Sequence, residues 1–115
     1  MRRKTIFEAM KAYVERTLDG SPMDVISIAA ETAINKDSGE VSSFVKVEAE
    51  VPKGYDELSR CRFTVKILDA PLKVTEVQLE NTDYEILFHG LKISYVDTKG
   101  NVYFKADDYD VKVAN

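Results

Sequence analysis

Few residues of this chain are equipped for chemistry. It has one histidine, His89, set between Phe88 and Gly90, and one cysteine, Cys61. Two such residues cannot assemble a His/Cys metal site, which takes three or four ligands. A lone histidine beside a strand end reads as structural rather than as a general base. Cys61 sits in an apolar alternation, so it is expected to be a reduced, buried thiol serving as a small core residue. The carboxylates of Asp107-Asp108-Tyr109-Asp110 come nearest to a cation site, because Asp108 and Asp110 share one face of a strand. Nothing nearby completes an oxygen cage, however, and the turns at Asp37 and Asp97 lack the glycine at the sixth position of a calcium loop. No nucleophile elbow, phosphate-binding loop or dinucleotide fingerprint occurs. The chain is expected to be no enzyme and to hold no metal or small-molecule cofactor.

Binding residues are easier to find. Arg60, Arg62 and Lys66 fall on the polar face of one alternating segment, and Lys46 extends the row if its own strand pairs alongside. Side chains two residues apart on a strand lie about 6.6 to 7 Å apart, a spacing comparable to that of successive phosphates on one nucleic-acid strand. Tyr55, Tyr84, Tyr95, Tyr103 and Phe44 are available to stack on unpaired bases. These four basic residues form the candidate nucleic-acid-binding set. The competing reading makes them a solvated face paired across strands to Glu48 and Glu50.

The elements that must position these residues are legible from hydropathy. Ile6, Phe7, Met10, Val14 and Leu18 recur at helical spacing, so residues 5–18 are expected to form an amphipathic helix. Thr5 and Glu8 offer a capping box, Gly20 a stop and Pro22 a break beyond it. Phe7, Met10 and Val14 are expected to pack on the body, leaving Arg2, Arg3, Lys4, Lys11 and Arg16 in water.

From residue 23 the period becomes two. Ile26, Ile28, Ala30, Thr32 and Ile34 face one way and Val25, Ser27, Ala29, Glu31 and Ala33 the other, and Val41, Val45, Val47, Ala49 and Val51 alternate with Ser42, Lys46, Glu48 and Glu50. The turn residues Asn35 to Glu40 join these runs into a β-hairpin. Cys61, Phe63, Val65 and Ile67 form the cleanest buried face, and the regularity implies a sheet solvated on its other side. Beyond Asp69-Ala70-Pro71, Leu72 and Val74 fall out of phase with Val77 and Leu79, as at a bend. Short strands then follow around Tyr84–Phe88, Leu91–Tyr95, Val102–Ala106 and Tyr109–Val113. The fold expected is α+β: one N-terminal helix packed on a small, mostly antiparallel β-barrel, in a single domain spanning 1–115 with its β body over 23–113.

At 115 residues the chain is long enough to bury a core without disulfides. No apolar run approaches the roughly 18 residues needed to span a bilayer, and charges interrupt any secretion signal after Met1-Arg2-Arg3-Lys4. A soluble, cytoplasmic protein without membrane insertion is therefore expected. The net charge of −4 disfavours general electrostatic capture of nucleic acid. The charge is uneven, though: residues 1–16 are net positive and the remainder net negative, which can orient a partner.

Two strings carry a family resemblance. Arg62-Phe63-Thr64-Val65-Lys66-Ile67-Leu68-Asp69-Ala70-Pro71 is followed, after a spacer, by Val102-Tyr103-Phe104-Lys105-Ala106-Asp107-Asp108 and an apolar alternation. Together with the strand end at Val51-Pro52, this order resembles the small regulatory proteins of Gram-positive conjugative plasmids and transposons, of the PrgU and YdcP type. The resemblance spans residues 23–113 and is loose outside these strings. It implies a compact β-barrel like the PUA fold of RNA-binding proteins, and regulation of mobile-element transfer functions through RNA. It supplies no catalytic residues and no residue-by-residue RNA contacts. A protein-interaction module, as a homodimer or as partner of a transfer or transcription factor, is the alternative.

Overall fold

The capping signal at Thr5 does what its chemistry suggests: the Thr5 hydroxyl accepts a hydrogen bond from the Glu8 N–H at 3.1 Å, and α1 runs Ile6–Leu18. A computed structural model describes residues 5–114; the basic tail Arg2, Arg3 and Lys4 lies outside the described residues. The helix ends at Asp19, and Gly20, with φ +70°, turns the chain so that its N–H donates to the Phe88 carbonyl at 2.9 Å. Positive φ costs glycine little, which makes it a suitable stop.

The strands are β1 Met23–Ile34, β2 Val41–Glu50, β3 Arg62–Leu68, β4 Tyr84–His89, β5 Lys92–Val96, β6 Val102–Ala106 and β7 Asp108–Val113. They form one sheet in the order β5-β6-β3-β2-β1-β4-β7. All neighbours run antiparallel except β3 and β6, which are parallel, so the sheet is mixed. The turn between β1 and β2 is built as expected. The Asn35 side-chain oxygen accepts from the N–H groups of Asp37 and Ser38, at 2.9 and 3.2 Å, and Gly39 takes φ +74°.

The C-terminal third shapes the sheet. β4 and β5 are separated only by Gly90 and Leu91, and β6 and β7 only by Asp107. Because β4 pairs with β7 and β5 with β6, residues 84–113 make one long hairpin bent sharply at Gly90/Asp107. One half joins the sheet beside β1 and the other beside β3, which forces the sheet to curl. The result is an α+β fold with an N-terminal helix and a curled mixed seven-stranded half-barrel. β5 and β7 each have one strand neighbour, so the sheet has two edges rather than the closure of a full barrel.

The inside of the curl is the core. Val45, Val47, Ala49, Phe63, Val65, Ile67, Phe104, Ile86, Phe88 and Tyr109 are buried, and Phe63 meets Phe88 and Phe104 edge-on at 6.0 and 5.1 Å. Tyr109 brings a polar tip inside, and its OH is satisfied: it donates to the Pro71 carbonyl at 2.5 Å and accepts from the Lys73 N–H at 2.8 Å. Burial raises the Tyr109 pKa above the ordinary tyrosine range, so the phenol stays neutral.

Four expectations need correction. Phe7 and Met10 do not pack on the body: each is 63% exposed, and only the C-terminal half of α1 docks, through Leu18 and Val14. Cys61 is exposed, because Arg60 adopts φ +68° and β3 begins only at Arg62, so the alternation does not extend back to the cysteine. A register shift between Val25 and Ser27 changes the phase of β1, which is why Met23 and Ile28 are both buried while Ile26 is exposed. Finally, the bend after Ala70 contains a second helix, α2 (Glu76–Asn81), held by a reciprocal capping box between Thr75 and Gln78. The T-x-x-Q string was its signal. Among the described residues no helix is long and apolar enough to cross a membrane.

Candidate nucleic-acid interface

Of the four predicted residues, the structure keeps Lys66 and Lys46 and ties up the other two. Arg60 and Arg62 both close on Glu50, at 3.1 and 3.0 Å, and Arg62 also lies 3.9 Å from Glu48. The two guanidinium groups hold the Glu50 carboxyl below the ordinary glutamate range, Arg60 contributing most. Arg60 and Arg62 thus make the ion pairs to Glu50 and Glu48 that the competing reading expected.

Lys66 and Lys46 stand directly opposite each other across β3 and β2. On its other side Lys66 is opposite Lys105 of β6, and Lys105 is opposite Lys92 of β5. Four lysines on four adjacent strands therefore form one row across the sheet, on the side away from the core. Neighbouring strands lie about 4.8 Å apart, so the row is about 14 Å long. None of the four has an ion-pair partner among the described residues. Like charges directly opposite one another destabilise a sheet, and this row contains three such pairs in succession.

Aromatic rings flank the row on both sides. One register step away, Tyr95 and Tyr103 are stacked, with centroids 4.7 Å apart and planes 9° apart. One step the other way, Phe44 lies under Lys66, whose Nζ is 4.2 Å from the ring centroid. The whole forms a trough of about 760 Å³, whose lining also includes the carboxylates of Glu31 and Asp107. Gly90 makes room for Asp107: a Cβ there would fall 2.2 Å from an Asp107 carboxylate oxygen. Burial, and then the charge of Asp97, raise the Tyr103 pKa, so its phenol is neutral.

Lys92 and Lys105 were not legible beforehand, because neither the parallel β3–β6 pairing nor the β5–β6 register can be read from local alternation. Tyr95 joins the lysine side only because the β5 register shifts between Ile93 and Tyr95. Tyr55 and Tyr84, the other stacking candidates, instead pack against the core.

The acidic string near the C-terminus is partnered by side chains of the protein's own. Lys73 Nζ lies 3.6 Å from Asp108 and 3.5 Å from Asp110, and His89 Nε2 is 2.8 Å from Asp110. The bond to His89, chiefly, lowers the Asp110 pKa. Among the described residues no group of three or more His, Cys, Asp or Glu could hold a metal ion. No protein-family model matches the chain, and comparison with curated proteins and with solved structures gives no match.

Proposed function

We propose that this chain is a non-enzymatic regulatory protein that binds RNA through the row Lys46, Lys66, Lys105 and Lys92. The observation that supports this reading is three consecutive like-charged cross-strand pairs with no ion-pair partner among the described residues. A fold tolerates such repulsion readily where a polyanion relieves it. The setting, control of transfer functions of a conjugative plasmid or transposon, rests on the resemblance of the 62–71 and 102–108 strings, as does the finer reading of the half-barrel as PUA-like. With a net charge of −4 the chain attracts nucleic acid weakly as a whole, so affinity depends on this one face.

Mobility shifts with transfer-operon transcripts over a salt series test the proposal. Binding should weaken with salt, and Lys66→Ala with Lys105→Ala should lower the log–log slope by roughly 0.7 per lost contact. Absence of a shift at low salt with every transcript would end the RNA reading.

A second reading, self-association as a homodimer, is favoured by the exposed stripe Ile6, Phe7, Met10 and Tyr13 on α1 together with the edges β5 and β7. A monomer by light scattering at high concentration removes it.

A further inference from the structure

We infer that the lysine face takes an unpaired nucleic-acid strand, laid across the β-strands with its backbone on the lysine row and its bases over the Tyr95/Tyr103 pair. This rests on the proposal that the row contacts nucleic acid, and it adds which form of nucleic acid fits and in which direction it runs.

The argument comes from the register. The solvent side of β2, β3, β6 and β5 is a grid of three lines running across the strands. The middle line is Lys46, Lys66, Lys105 and Lys92; one outer line runs Glu48, Thr64, Tyr103 and Tyr95, with the carboxylate at its β2 end and the rings at its β6 and β5 end, and the other contains Phe44 and Leu68. Successive lines are two residues apart along β2, β3 and β6, about 6.6 to 7 Å, and three along β5, where the register shifts between Ile93 and Tyr95. That separation suits a sugar-phosphate backbone on the middle line with bases reaching an outer one. The middle line, about 14 Å long, has room for roughly three phosphates of an extended strand.

The outer lines determine the form. A duplex keeps its base faces stacked inside and offers a protein phosphates, sugars and groove edges. Aromatic rings on both sides of a cationic row have no use against such a surface. Against an unpaired strand they are stacking platforms, which accept any base because every base has a π-face. Tyr95 and Tyr103 already form a two-ring stack with planes 9° apart, and Tyr95 is 56% exposed, so a base extends the stack at its open end. Phe44 is the lesser platform, since Lys66 covers its ring. Carboxylates beside the row, Glu31 next to Phe44, Asp107 in the trough lining and Glu48 next to Thr64, repel phosphates that stray off the middle line and so confine the backbone to it.

Fluorescence anisotropy on the full chain tests this with three probes: an unstructured RNA of about ten nucleotides, the same sequence as a duplex, and inorganic polyphosphate as a competitor with charge but no bases. The single strand should bind at least about tenfold tighter than the duplex. Tyr95→Ala should cut single-strand affinity about tenfold or more while leaving competition by polyphosphate unchanged, because a stacked base is worth about 1 to 3 kcal/mol. Tyr95→Phe, which keeps the ring, should retain affinity, and this separates loss of stacking from loss of folding. Equal binding of duplex and single strand, or an unaltered single-strand affinity in Tyr95→Ala, would overturn the inference while leaving the lysine row as a polyanion site. If neither RNA nor polyphosphate binds, the lysine reading fails first and this inference with it.

Discussion

Glu50, the last residue of β2, is held by two guanidinium groups, those of Arg60 and Arg62, and its pKa falls as a result. The consequence for stability has a definite sign. A carboxyl whose folded pKa is depressed contributes stability above its unfolded pKa, and loses it as the pH falls from the ordinary glutamate range through the lowered value. Asp110, bonded to His89, and Asp97, bonded to Asn101, act in the same direction. Asp24 opposes them: burial, followed by the charges of Glu50 and Glu85, raises its pKa, so its contribution weakens as the pH rises. Denaturant melts across the acidic range should show stability falling with pH. Glu50→Gln should make that slope shallower, because the proton uptake at Glu50 on unfolding is lost. An unchanged slope would mean that the arginines do not hold Glu50 in solution.

At the scale of elements, α1 is attached by its C-terminal end, through Glu15 and the cap residue Asp19. The carboxylates of Glu15 and Asp19 accept from the backbone N–H groups of Ile93 and Leu91, at 2.7 and 3.0 Å, where the chain rounds the corner into β5. Leu18 fills the core beneath. Leu18→Ala should therefore cost about 2 to 5 kcal/mol, whereas Phe7→Ala should change stability by only about 0.5 kcal/mol. Thermal melts of the two variants decide the point, and a large loss in Phe7→Ala would mean that the N-terminal half is docked too. Periodicity made the helix, its cap and its end legible. It could not say which half of a continuous apolar stripe docks, since that depends on where the corner near Leu91 falls. The same limit applies to Cys61, whose alternation with Phe63, Val65 and Ile67 is perfect in sequence and broken in space by the positive φ of Arg60. Existence and type of elements follow from local pattern; phase at their ends follows from backbone turns that a pattern does not record.

The whole molecule sets charge against charge. Lys66 and Lys46 were legible because β2 and β3 are successive antiparallel strands whose alternation fixes their common face. Lys105 and Lys92 were not, because they reach the row only through the bent hairpin, which brings β6 parallel to β3. A row assembled on adjacent strands that are far apart in the sequence is a property of the fold, and its repulsion is measurable without any ligand. Lys105 stands between Lys66 and Lys92, so Lys105→Thr removes two like-charged pairs and places a β-branched residue in a strand. That variant should gain about 0.4 to 2 kcal/mol at low ionic strength, and the gain should shrink toward about 1 M salt, where the screening length falls to about 3 Å, below the strand spacing. Lys112 is the contrast: it stands opposite Glu85 on β7 and β4, so Lys112→Thr removes an attraction and should be neutral or slightly destabilising. Chemical denaturation of both variants at two salt concentrations makes the comparison. If Lys105→Thr destabilises as much as Lys112→Thr does, the lysines are not in conflict and the case for a bound polyanion loses its basis. If it stabilises the fold while RNA binding weakens, the row costs the free protein stability in exchange for a contact that only a ligand completes.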